Sequence, residues 1–282
     1  MKLLIALLLL ISSFAFAKDD NLEKGMKPKF YSKREKAILN IAFVYYGDYY
    51  KEEDMERVQD LLRKRFALAT QGHVTLNVAI RTILPFKNQL IDFPEYRQQY
   101  VTDPERLQRL WYYDNVGGRI VTEVYEQIKA HPTLKPSLKS LDSIVIVTGA
   151  QFDALGFASG RVAVTENPME IAWGLKDGGR VEIQSDAKVV DELIHEIGHV
   201  MFMDHASSQC FLPGMDHKTS MECCATSPNK DDVMSYCRSR AKVNDEFFYG
   251  FGECNVKMLK ERVVPAMLKG GAWNIANRVK CT

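Results

Sequence analysis

The sequence predicts an α/β (α+β) fold: a twisted, mostly parallel sheet whose strands alternate with helices, leading into a histidine-bearing helix and a cysteine-rich C-terminal part. Three observations carry this. Short apolar runs rich in β-branched residues alternate with stretches of three- and four-residue apolar spacing. Three of the six histidines fall within positions 195–205. All six cysteines lie beyond them.

In order along the chain, Lys2, an apolar run over 3–11 and Ala15-Phe16-Ala17 form the pattern of a secretory signal, 1–17, cleaved after Ala17. A secreted or periplasmic protein is expected. The run is short for a bilayer span and no longer one follows, so no membrane span is expected after cleavage. Residues 18–36 read as a polar, lysine-rich linker, and 37–282 as a single domain. The 37 basic and 36 acidic residues leave a formal charge of +1, which favours neither nucleic acid nor an anionic membrane as partner.

Residues 38–46 read as a strand, Met55, Val58, Leu62 and Phe66 as one face of a helix, and Val74, Leu76, Val78 and Ile80 as a second strand. An insertion over 86–118 follows. Asp103 with Pro104 opens a helical stretch that 121–128 continues, and 143–147 is a short apolar strand. Residues 156–164 read as one glycine-punctuated strand. Ser185 and Asp186 are N-cap types ahead of a helix whose buried stripe is Val189, Val190, Leu193, Ile194, Ile197, Val200 and Met201. Asp191, His195 and His199 lie on its other side, facing a cleft. Met258, Leu259, Val263 and Met267 mark a last packing helix. The tyrosines at 45, 46, 49 and 50 read as core and rim, without a function.

The chemistry is concentrated in His195-Glu196-Ile197-Gly198-His199. Residues four apart on a helix share a face, so two imidazoles can converge on one ion with a carboxylate beside them. Such a pentad also arises by chance. His205, six residues on, supplies a third nitrogen, and 231–236 (DDVMSY) reads as a turn that places Met234 beneath the metal. Three protein ligands leave the fourth position of a zinc ion open for water, and Glu196 is the one residue of the motif suited to carry its proton.

These residues resemble the metzincin clan of zinc endopeptidases. Residues 195–208 (HEIGHVMFMDHASS) look most like the matrixin-type motif, and 233–236 (VMSY) are similar to the Met-turns of bacterial and astacin-like members. The resemblance implies one catalytic zinc ion on His195, His199 and His205, Glu196 as general base and acid, Met234 as a hydrophobic floor, and Tyr236 near the metal or the oxyanion. It implies a metallopeptidase domain over 37–282, upper part 37–200 and lower part 201–282, acting on a peptide or protein. It further implies an antiparallel edge strand lining the cleft, which places Phe157, Ala158 and Ser159 against an extended substrate. A zinc-holding module without turnover, and a zinc amidase acting on a cell-wall peptide, are the alternatives.

The chain departs from the clan at Phe202, where the pattern has the glycine whose positive φ ends the helix and swings the third histidine back. If that turn fails, Asp204, Asp216, His217 or Glu222 could replace His205. Latency through a cysteine on zinc is excluded, because no cysteine precedes Cys210.

An even cysteine count in an exported chain points to disulfides among Cys210, Cys223, Cys224, Cys237, Cys254 and Cys281, with fifteen pairings open. Adjacent Cys223 and Cys224 are expected to take different partners and staple the loop between His205 and Met234.

Overall fold

A computed structural model of the chain describes residues 29–30, 33–47, 51–85, 116–148, 156–159, 161–166, 172–173, 180–181, 185–212, 214–272 and 281. The expected signal segment, most of the linker, Tyr49 and Tyr50, and residues 86–115 of the expected 86–118 insertion, with its Asp103-Pro104 helix start, lie outside these residues; 116–118 begin a helix.

The central sheet is built from β1 (Ile38–Tyr46), β2 (Thr75–Leu84), β3 (Ser143–Thr148), β4 (Gly156–Ser159) and β5 (Val162–Glu166) in the order β2-β1-β3-β5-β4. Neighbours among β2, β1, β3 and β5 are parallel, while β4 is antiparallel to β5 and forms the edge. The single strand expected over 156–164 is therefore two. Ser159 pairs with Val162, so the chain reverses between them. Alternation alone cannot reveal such a reversal, because both arms keep the same two-residue period. Arg161, almost wholly buried, anchors the turn by donating from Nη1 to the Leu141 carbonyl at 2.9 Å.

Helices cover both faces, which is why β1 and β3 are apolar along their length rather than alternating. On one face, α1 (Glu52–Ala69) and α3 (Asp186–Val200) pack against Ile41, Phe43, Tyr45, Val145 and Val147. Met55, Val58, Leu62 and Phe66 of α1 and Val189, Val190, Leu193, Ile194 and Ile197 of α3 supply that core, on the predicted periodicity. On the other face, α2 (Val116–Ala130) sets Ile120, Val121, Val124 and Ile128 against Ala42, Val44, Tyr46, Ile144 and Ile146.

Beyond α3, the chain is held by cross-links as well as by core. α4 (His217–Thr226) is tied at both of its adjacent cysteines, Cys210–Cys223 on one side and Cys224–Cys237 on the other. Cys254–Cys281 closes the end. All six cysteines are thus oxidised, which indicates an oxidising compartment and removes a cysteine-held metal. α5 (Glu253–Met258) runs through a π turn (Leu259–Val263) into α6 (Val264–Lys269), next to Pro265, which has no amide to donate to the preceding turn. Lys29–Phe30 pairs antiparallel with Gly271–Ala272. No helix among the described residues is long and apolar enough to cross a membrane.

Candidate metal centre

The end of α3 decides whether His205 can return to His195 and His199. Met201 donates to the Ile197 carbonyl, Phe202 to His199 and Met203 to Gly198, each at 2.9 Å. The last two bonds are the paired closure of a helix that ends in a left-handed residue. Phe202 is that residue, with φ +68°. Its ring is buried, so packing offsets the roughly 1–2 kcal/mol that a side chain costs in this conformation.

From there the chain passes under the turn 231–236. The Ala206 amide donates to the Met234 carbonyl at 3.1 Å and Ala206 bridges to Ser235 in parallel register, which sets the position of His205. The turn is itself braced. Asp232 accepts the Met234 amide through Oδ1 and the Asn255 side-chain amide through Oδ2, both at 2.8 Å.

Backbone carbonyls fix two of the three rings. His195 Nδ1–H donates to Val233 at 2.8 Å and His199 Nδ1–H donates to Met203 at 2.9 Å. A carbonyl can only accept, so the protons sit on Nδ1 and the Nε2 lone pairs are left for a metal. The three histidines bring one nitrogen each to within 4.8 Å of the others, and Nε2 of His199 lies 2.9 Å from Nε2 of His205. A tetrahedral zinc ion with bonds of about 2.0–2.1 Å separates its nitrogens by about 3.3 Å, within a few tenths of that spacing. Burial, helped by the nearby Arg238 cation, pushes His195 well below the ordinary imidazole range and keeps it neutral, as a ligand must be. The donor set, the tautomers of His195 and His199 and the neutrality of His195 fit a divalent ion such as zinc. Asp204, Asp216, His217 and Glu222 stand outside it; Asp216 instead caps α4 by accepting the Thr219 amide at 2.9 Å.

Glu196 is buried beside these nitrogens, and its Oε2 has no hydrogen-bond partner among the described residues. Burial first, and the neighbouring Glu192 carboxylate second, push its carboxyl well above the ordinary carboxylate range. The edge strand reaches this carboxylate. A Cβ at Gly156, the first residue of β4, would stand 2.8 Å from Glu196 Oε1. The structure places Phe157, Ala158 and Ser159 on the same strand just beyond that contact, with Ala158 packed toward the core. Tyr236 is half-exposed, its ring 4.1 Å from that of His205, and burial with the Glu196 and Glu192 charges pushes its hydroxyl up to about 12.

Sequence reasoning missed the support beneath these residues. A Cβ at Gly198 would stand 2.4 Å from Met234 Sδ, so the helix must carry glycine where the methionine packs under it. Arg238, two residues past the turn, donates from Nε to Asp191 at 3.2 Å and from Nη2 to Glu192 at 3.0 Å, all largely buried. Asp191 on the cleft side of the helix was the available signal; its distant cation was not.

No protein-family model matches the chain, and no curated protein matches it. Similar solved structures include archaemetzincin from Methanopyrus kandleri, at 15% identity and TM-score 0.43, covering 80% of this chain and 96% of that one. A zinc-dependent peptidase from Methanocorpusculum labreanum is similar at 13% identity and TM-score 0.37, covering 78% and 99%. OgpA from Akkermansia muciniphila is similar at 16% identity and TM-score 0.33, covering 62% and 50%. Likenesses this low fix neither the fold nor the activity of this chain.

Proposed function

We propose that this chain is an exported zinc-dependent endopeptidase of the metzincin type, with a matrixin-like motif at 195–208 and a Met-turn at 231–236. One observation carries the reading: one nitrogen from each of three histidines lies within 4.8 Å of the others, two of the rings with their other nitrogen committed to a backbone carbonyl, beside the buried Glu196 carboxyl.

His195, His199 and His205 would hold the ion, which supplies Lewis acidity toward a water and the scissile carbonyl when bound. Glu196, whose Oε2 lies buried beside the three imidazoles, would take the water's proton and return it to the departing amine. The hydroxyl of Tyr236 stays protonated at neutral pH and can donate to the developing oxyanion. β4 offers an extended substrate an edge at Phe157, Ala158 and Ser159, with Gly156 letting the strand approach Glu196.

The test is metal content together with turnover, before and after Glu196→Gln. Retained zinc with cleavage lost by about a hundredfold or more supports the reading. Peptide cleavage unaffected by Glu196→Gln, or no peptide cleavage by the zinc-loaded parent, contradicts it.

A further inference from the structure

Phe211 and Tyr236 leave large aromatic surface in solvent, 38% and 50% exposed, immediately beside the metal centre. Single exposed apolar residues are ordinary on protein surfaces, so exposure alone carries nothing. Continuity and rigidity distinguish this pair. The Tyr236 ring lies over that of His205 at 4.1 Å, and the Phe211 ring meets Tyr236 edge to face at 5.6 Å, so the two rings step outward from a candidate ligand.

The backbone next to each ring is also tied covalently. Phe211 follows Cys210, which is bonded to Cys223, and Tyr236 precedes Cys237, which is bonded to Cys224. Cys223 and Cys224 are consecutive on α4. The two rings therefore project from opposite ends of one four-cysteine clamp, 25 positions apart in the chain yet in contact. Aromatic side chains lose little entropy on binding, and a scaffold that already holds them in place lowers the cost further.

We propose that Phe211 and Tyr236 form a preset aromatic ledge that receives a bulky apolar or aromatic side chain of the substrate next to the scissile bond. This rests on the peptidase reading above. Glu196 and the Gly156 end of β4 lie at the reacting position, so a residue flanking the cleaved bond meets the ledge at the His205 end. Two rings set edge to face leave an open corner into which a third ring or a leucine fits.

The experiment uses the full zinc-loaded chain and quenched peptides that differ only in one residue flanking the cleaved bond, varied on each side in turn among Phe, Leu, Ala, Lys and Asp. At one of the two positions kcat/KM should favour Phe over Ala by roughly tenfold or more, and Phe211→Ala should bring that ratio near unity, with Phe211→Leu between. An equal loss on both peptides, an unchanged ratio, or a preference for Lys or Asp overturns the ledge. A second arm measures anisotropy of labelled Phe and Ala peptides on Glu196→Gln protein, with and without Phe211→Ala. Selective binding lost with Phe211, but no turnover by the parent, supports the ledge and sinks the peptidase reading. Turnover without selectivity in either arm does the reverse, and absence of both overturns both.

Discussion

The Met203 amide donates to the Gly198 carbonyl at 2.9 Å, across a Phe202 held at φ +68°. Glycine would relieve roughly 1–2 kcal/mol of backbone strain there, while removing a buried phenylalanine ring costs about 3–5 kcal/mol. The ring term is the larger. Phe202→Gly is therefore expected to lower stability by about 2–3 kcal/mol in denaturant unfolding while zinc affinity is kept. A stabilised Phe202→Gly protein would show that the ring contributes nothing.

Gly198→Ala sets two known effects against each other. Alanine raises helix propensity by about 1 kcal/mol, but its methyl would overlap Met234 Sδ in a fully packed site, which costs about 1–3 kcal/mol. Because Val233 beside Met234 orients His195, the shift should also weaken zinc binding by about tenfold. Thermal unfolding and a zinc competition titration read the two effects. A more stable variant with unchanged affinity would mean that Met234 moves freely.

The sheet, its two covering helices and the histidine helix were legible because each has a strong period: two for the strands, three to four for the apolar stripe of 189–201. The adjacent cysteines Cys223 and Cys224 could not pair easily with one another, and that much of the cross-linking was readable too. What the sequence hid was of another kind. The hairpin within 156–166 keeps one period through a reversal, and the Arg238 ion pairs join residues 46 and 47 positions apart. The Phe202 turn looked like a defect because the compensation, a buried ring, is a tertiary fact.

Arg238 hydrogen-bonds to both Asp191 and Glu192, and all three are largely buried. Arg238→Met leaves two carboxylates in the interior without it, and removing one partner from such a group costs about 3–5 kcal/mol. We expect that loss in chemical denaturation, and expect Asp191→Asn combined with Glu192→Gln to recover part of it in the Arg238→Met background. No recovery would place the role of Arg238 in its bond to the Ser235 carbonyl instead.

The convergence of three imidazoles on one ion is tested most directly by zinc titration against a chromophoric chelator, on the full chain and on His195→Ala, His199→Ala and His205→Ala. We expect one equivalent bound by the parent, and each substitution, His205→Ala included, to weaken binding by about a hundredfold or more. A His205→Ala protein that binds zinc as tightly as the parent would contradict a three-histidine centre.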